Sequence, residues 1–437
     1  MADNDKRLGV ALAAATCALL GSAKSPPAAA ADDDDRWEIE SALLYYGESD
    51  DRVQDASLSV NAKRDFGDGK ALDFSITADT LSGASPSGAI ALDGPQTFTS
   101  PSGDKVYTTP GGEIPLDDTF LDTRYAVTAN WTQPFAGLYT VSAGASFSDE
   151  YDYTHAGGNV RLTRDFNHRN TTLSAALAYS QDESDPVGGV PAGLSQMPDV
   201  DDLSNRGGSE TKDIVDVVVG VAQVINRTTV VRVNYSFSDS SGYLNDPYKF
   251  MSVVDPVTGD TIARTPPPGE RGPSGIYRFD NRPDLRTKHG LYAEARTWLG
   301  GKVLNVSYRY MTDDWEIDSH TLEARLRWPI GGTSYIEPHL RYYTQTAAEF
   351  YRMSLVDGEP LPQYASADYR LAEFGGITAG VKFGHETAGG NEFSIRLEYY
   401  QQSGNVADSL LIGNQFNRET SADLNAVIAQ FSYRFRF

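Results

Sequence analysis

Apolar and polar residues alternate along most of this chain with a period of two. The clearest stretch is the last, Leu424 to Phe437. There Val427, Ala429, Phe431, Tyr433, Phe435 and Phe437 share one face, and Gln430, Ser432, Arg434 and Arg436 share the other. Period-two alternation predicts a strand with one apolar and one polar side. The same pattern recurs from Trp37 onwards, for example in Leu72, Phe74, Ile76 and Ala78 against Asp73, Ser75, Thr77 and Asp79. It predicts about sixteen strands, most near the 9–11 residues that a tilted strand needs to cross a bilayer.

The connections alternate as well. Short turns follow each even-numbered strand, most of them Gly- or Asn-rich, such as Gly67-Asp68-Gly69, Asn226-Arg227 and Gly300-Gly301. The long connections, 82–119, 182–210, 240–287, 349–368 and 404–420, all fall on the opposite side. The fold class expected is therefore all-β. It is a transmembrane antiparallel up-and-down β-barrel with short periplasmic turns and long external loops. A soluble sandwich or β-helix would bury the Arg, Glu, Asp and Asn of the polar faces without enough partners.

The N-terminus fits the same address. Lys6 and Arg7 precede an uncharged apolar stretch, Leu8 to Ala23, and small residues lead to Ala31 and then Asp32 to Asp35. That order is expected of a signal peptide over residues 1–31, with an acidic tail at 32–36 and the barrel over 37–437. The first strand is expected directly after the tail, so neither an N-terminal plug domain nor an energised transporter of the siderophore type is expected. Cys17 is the only cysteine. Its removal with the signal peptide would leave no disulfide framework and no thiolate site.

Composition narrows the functional classes. The chain has 437 residues, with 37 basic against 60 acidic residues and a formal charge of -23. Nucleic-acid binding is excluded, because phosphate affinity needs a basic surface. Mean hydropathy is -0.40, too polar for a helical membrane protein. The polar strand faces carry both signs. Arg124, Arg161, Arg232, Arg296, Arg309, Arg325, Arg327, Arg341, Arg396, Arg434, Glu294, Glu323, Glu337 and Glu398 are the expected lumen-lining residues. Lys63, Arg436, Glu38, Glu40, Asp65, Asp73, Asp79, Asp122 and Asp165 point the same way. They read either as a solvated interior with local ion pairs, or as an arginine ladder on the later strands facing carboxylates elsewhere and biasing a pore. Tyr433, Phe435 and Phe437 are the expected signal for the barrel-assembly machinery.

Six segments carry a resemblance. They are LSGASP at 81–86, SGYLNDPYK at 241–249, DNRPDLR at 280–286, YRYMTDDW at 308–315, LRYYTQTAAEFY at 340–351 and SADYRLAEFG at 366–375. Together they resemble an uncharacterised family of proteobacterial outer-membrane barrels, a domain of unknown function. Members of that family often stand beside a flavin transferase, a flavin-carrying periplasmic protein and a thioredoxin-like protein. The resemblance thus implies an outer-membrane part of an extracytosolic redox system, with a periplasmic flavoprotein or small lipoprotein as partner beside the outer-membrane lipid. It brings no catalytic motif and no cofactor site.

Read for their own chemistry, Asn245-Asp246-Pro247 and Asp280-Asn281-Arg282-Pro283 set turns at the ends of loop 240–287. Tyr342, Tyr343, Phe350 and Tyr351 with Arg341 and Arg352 offer either a stacking platform or an interfacial aromatic belt. Catalysis is not expected. No GxSxG element and no metal-binding histidine spacing occurs, and only His155, His289 and His320 map near the outer rim, the last two with Asp284 and Asp318 close in sequence. The functional expectation is a conduit or docking scaffold in the outer membrane of a Gram-negative bacterium. The alternatives are a porin for small polar solutes and, far behind, a hydrolase.

Overall fold

A computed structural model describes residues 36–49, 52–420 and 423–437, with the side chains of 117–121 left aside. The expected signal peptide, 1–31, and residues 32–35 of the expected acidic tail lie outside the described residues. The strands are β1 Trp37–Glu48, β2 Gln54–Asp65, β3 Ala71–Pro86, β4 Leu116–Phe135, β5 Tyr139–Asp149, β6 Tyr153–Phe166, β7 Thr171–Ser184 and β8 Glu210–Asn226. They continue as β9 Thr229–Gly242, β10 Leu285–Leu299, β11 Lys302–Asp313, β12 Asp318–Ile330, β13 Ser334–Gln345, β14 Glu373–Glu386, β15 Glu392–Asn405 and β16 Leu424–Arg436. Each pairs with its sequence neighbour, and the sixteen form a closed antiparallel barrel. Closure joins β16 to β1, from Glu38 opposite Arg436 to Glu48 opposite Ala426.

Alternation explains the two surfaces. Leu43, Leu58, Ile76, Val127, Leu177, Leu322 and Leu397 are exposed, which suits a face turned to lipid. Residues of the opposite parity point into the barrel. At the end with short turns, cations lie over aromatic rings on the lipid side. The Arg64 guanidinium is 5.7 Å from the Trp37 ring and 5.0 Å from Phe66, Arg164 is 4.5 Å from Phe166, and the Lys302 amine is 3.7 Å from Trp328. Such pairs fit a headgroup layer, where apolar stems and charged tips meet different solvents.

All strands but the 11-residue β5 are longer than a bilayer needs, up to 20 residues in β4. The excess rises at the loop end. There the long loops fold into a cap. Residues 250–254 form a sheet with 277–279 and 355–356, and 96–99 pair with 106–109 as a hairpin.

Candidate functional site

The cap has an apolar interior of its own. One cluster joins Ile90, Leu244, Val254, Trp315, Phe350 and Leu371, contributed by four different connections. A second packs Phe98, Met197, Phe250, Tyr277 and Phe279, with ring centroids of Phe98 and Tyr277 4.7 Å apart. Burial of rings from separate loops gives these connections a common core, so they close the loop end as one body.

Beneath those clusters lies a buried ionic network. Arg282 donates from Nε to Asp280 and from Nη2 to Asp368, each at 2.8 Å. Arg370 donates to Asp246 at 2.6 Å and to Asp368. Ser366 donates its hydroxyl to Asp280 at 3.0 Å. Lys249, fully buried, donates from Nζ to the Ser85 hydroxyl at 3.0 Å and to the Pro86 carbonyl. Close by, Arg286 donates to Asp313 at 2.6 Å, the Trp315 indole donates to the Leu285 carbonyl at 2.9 Å, and the Trp315 and Phe350 rings meet edge-on at 5.0 Å. All six segments that carried the family resemblance therefore meet at the foot of the cap. Their local sequence suggests only strand ends and turns. The Asp, Arg and Lys residues of SGYLNDPYK, DNRPDLR, YRYMTDDW and SADYRLAEFG were the available signal, because buried charges need partners.

The network is polarised by its setting. Burial, with Asp246 adding repulsion, pushes the Asp280 carboxyl up to about 6 despite the adjoining Arg282. Burial opposes ionisation of Asp368 as well, yet Arg370, Arg282 and Lys249 hold it well below the usual carboxylate range. Burial and the neighbouring Arg370 lower the Lys249 amine from its ordinary value.

Below the cap, the expected lumen residues stand on the inward parity of their strands. Many are paired locally. Arg124 reaches Asp79 at 3.0 Å, Arg232 reaches Glu294 at 3.7 Å, and Arg325 reaches Glu323 at 2.7 Å. Arg396 lies 3.7 Å from Glu398, and Arg434 pairs with Glu392. Arg309 lies over the Tyr292 ring, Arg327 over Tyr335, and Arg341 over Tyr343. Glu337 stands opposite Lys382 in the ladder, and Arg161 and Arg296 occupy inward positions of β6 and β10. Arginines of the later strands thus stand beside carboxylates, within one strand for Arg325–Glu323 and Arg396–Glu398 and across strands for Arg232–Glu294 and Arg434–Glu392. Tyr433, Phe435 and Phe437 stack in a column at the turn end, with centroids 5.6 and 6.0 Å apart.

Exposure of these inward groups changes along the axis. On β3, Asp73 near the turn end has a side chain 45 % exposed beside Lys63 at 50 %, whereas Asp79, six residues closer to the cap, is 9 % exposed. Along β3, then, the inward carboxylate at Asp73 is more exposed than the one under the cap, while Ala71, Tyr335 and Ser394 at the turn end are buried.

Two histidines acquire partners that sequence spacing did not reveal. His339 on β13 holds Glu323 at 3.3 Å through Nε2 and Glu398 at 2.8 Å through Nδ1. Glu398 reaches it across β14 because Gly380 has no side chain; a Cβ there would sit 2.5 Å from Glu398 Cγ. His155 on β6 holds Asp182 of β7 at 2.6 Å, and Lys212 of β8 holds the same carboxylate at 3.3 Å. The other two rim histidines lie on the lipid side. His289 meets the Tyr235 hydroxyl and His320 the Tyr308 hydroxyl, both at 2.7 Å. The aromatic platform is also split. Tyr342 is 49 % exposed on the outer face, Tyr343 points inward, and Phe350 and Tyr351 belong to the cap core. Strand parity separates residues that are adjacent in sequence.

Among solved structures, a mutant of the ferric enterobactin receptor PfeA from Pseudomonas aeruginosa matches with a TM-score of 0.42 and 10% identity, over 84% of this chain and 54% of that one. The siderophore receptor PirA from Acinetobacter baumannii gives 0.40 and 8%, over 86% and 54%. A bacterial polysaccharide outer membrane secretin gives 0.42 and 10%, over 93% and 100%. The chain spans about half the length of the receptors it matches. At this level the likeness carries no argument about activity. No curated protein matches the sequence. The family model for the protein of unknown function DUF3570 matches residues 9–435. With that match over nearly its whole length, the chain belongs to the DUF3570 family.

Proposed function

We propose that this protein is an outer-membrane docking scaffold, a barrel that receives a partner from the periplasm and is shut towards the outside. The observation that carries the reading is the gradient on β3, from a half-exposed Asp73 at the turn end to a buried Asp79 under the cap. A general porin needs a water-filled path through both mouths. Here one mouth is filled by loops with their own apolar clusters and ionic ties. The turn-end mouth offers neighbouring Arg and Glu side chains, which suits recognition of a charged protein surface more than retention of one ion sign. The partner implied by the family resemblance, a periplasmic flavoprotein or small lipoprotein of a redox system, is the occupant proposed.

Access decides it. Asn61, inward and exposed near the turn end, is replaced by cysteine in the otherwise cysteine-free barrel. A membrane-impermeant maleimide added to intact cells leaves Asn61→Cys unlabelled, and permeabilising the outer membrane exposes it. Rapid labelling in intact cells would establish an open channel and sink the scaffold. Purification from native membranes then retrieves a flavin-containing protein; recovery of the barrel alone rejects the redox partner.

A further inference from the structure

Ser146, His155 and Asp182 stand on three successive strands, β5, β6 and β7, and all point into the lumen. The Ser146 Oγ lies 3.0 Å from His155 Nε2, and His155 Nδ1 lies 2.6 Å from Asp182 Oδ1. We propose that these residues form a nucleophilic site for the hydrolysis of acyl esters on the lumen wall.

The register explains how they meet. Asp182 is directly opposite His155 in the ladder. Ser146 is opposite Gly157, one rung below. A Cβ on Gly157 would stand 3.0 Å from Ser146 Oγ, so the missing side chain lets the imidazole lean diagonally onto the serine. Asp182 is held by more than the histidine. The Tyr153 hydroxyl donates to Oδ2 and Lys212 sits 3.3 Å from the same oxygen, which leaves Oδ1 for the imidazole. An ionised carboxylate only accepts, so His155 donates from Nδ1 and turns the lone pair of Nε2 to the serine hydroxyl. That is the arrangement in which a histidine takes the proton of a serine nucleophile.

Burial follows the same order. Asp182 is 1 % and His155 6 % exposed, while Ser146 is half-buried and faces the lumen. Two carboxamides flank the next rung down. Asn159 is opposite Gly144 on one side and Asn130 is opposite it on the other. The Asn130 amide lies over Gly144, where a Cβ would be 1.9 Å from its Oδ1. Neither amide has a hydrogen-bond partner among the described residues, so both can turn an N–H to a developing oxyanion. His339 makes the contrast. Its two ring nitrogens face carboxylates, with no hydroxyl to activate.

The chemistry balances with water as co-reactant. Ser146 Oγ attacks the ester carbonyl carbon, and its proton passes to His155 Nε2. The bond to the alkoxy oxygen breaks, and the alcohol leaves with that proton. Water, deprotonated by His155, then attacks the acyl-serine; the carboxylic acid departs and Ser146 recovers its proton. This site is independent of partner docking, since it needs only a small ester entering from the turn end.

The experiment uses the full-chain barrel refolded in detergent micelles, with heat-modifiable gel mobility as the check of folding. A fluorophosphonate probe forms an adduct that peptide mapping assigns to Ser146, and p-nitrophenyl butyrate is turned over. Ser146→Ala loses both. His155→Gln slows labelling by about 10²–10⁴-fold, the usual contribution of a general base. Ser142→Ala, two rungs away on the same strand and bonded to Thr132, keeps the wild-type rate. Absence of an adduct on Ser146 in the folded wild type overturns the proposal, as does an unchanged labelling rate in folded His155→Gln. If His155→Gln fails to fold, the mapped adduct and its loss in Ser146→Ala decide.

Discussion

Replacing Arg282 by methionine tests whether the ionic network is what fastens the cap. Arg282 is buried, and its guanidinium spans Asp280 and Asp368 at 2.8 Å each. Methionine keeps most of the volume but leaves the carboxylates behind. Asp368 retains Arg370, whereas Asp280 keeps only the Ser366 hydroxyl at 3.0 Å. Breaking one partner of a buried pair costs about 3–5 kcal/mol. The loss has a pH signature. Asp280 sits at about 6 even with Arg282 beside it, raised from 3.8 chiefly by burial. A raised acid gives stability that is complete below its unfolded value and lost as pH rises through the folded value. The two-unit rise is worth about 3 kcal/mol at roughly 1.4 kcal/mol per unit. Removing the cation raises Asp280 further, so at pH 5 it takes a proton and the substitution costs little. At pH 8 the full penalty remains. Hydrogen exchange reads this directly, at the amides that bridge Asn281 and Ala365, each bonded to the other's carbonyl at 2.8 Å. In Arg282→Met, cap protection at pH 8 falls by about a hundredfold or more, since about 1.4 kcal/mol is tenfold, while at pH 5 it falls by much less. Equal losses at the two pH values, or less than about tenfold at pH 8, would refute the reasoning.

Other substitutions separate the parts. Asp280→Asn removes the group that pays for burial, so cap protection at pH 8 drops far less than in Arg282→Met and loses its slope between about pH 4 and 6; a loss as large as that of Arg282→Met contradicts this. Lys249→Met is milder than Arg282→Met, because Nζ touches only neutral oxygens of Ser85 and Pro86 and its removal strands no carboxylate in direct contact. Gly380→Val forces a Cβ to within 2.5 Å of the Leu397 carbonyl and Glu398 Cγ, and lowers barrel stability by about 1–3 kcal/mol in denaturant titration. Phe437→Ala leaves the finished barrel within about 0.5 kcal/mol of wild type, since that side chain is 65 % exposed, yet cuts its accumulation in cells if the terminal column is read during assembly.

Strand identity was legible because the signal is local. Alternation at Phe431, Tyr433, Phe435 and Phe437, or at Leu72, Phe74 and Ile76, needs only neighbours two residues away. The barrel's sixteen strands and its alternation of short turns with long loops followed from that pattern alone. Inward parity of the charged residues followed too, but their pairing did not. Arg434 meets Glu392 and Arg436 meets Glu38 through the order and register of neighbouring strands, which alternation does not encode.

The sequence by itself determined the wall of this protein; the tertiary structure decided what fills it. Loops have no period, so nothing local joins Lys249 to Ser85, 164 positions away, or Arg282 to Asp368, 86 positions away. Their charges have no reason to be there until burial makes each one need the others. The same holds on the wall. Ser146 and His155 are 9 positions apart, His155 and Asp182 are 27, and only strand register with a glycine at 157 brings the three side chains together. Periodicity sets which way a side chain points, and closure sets what it meets.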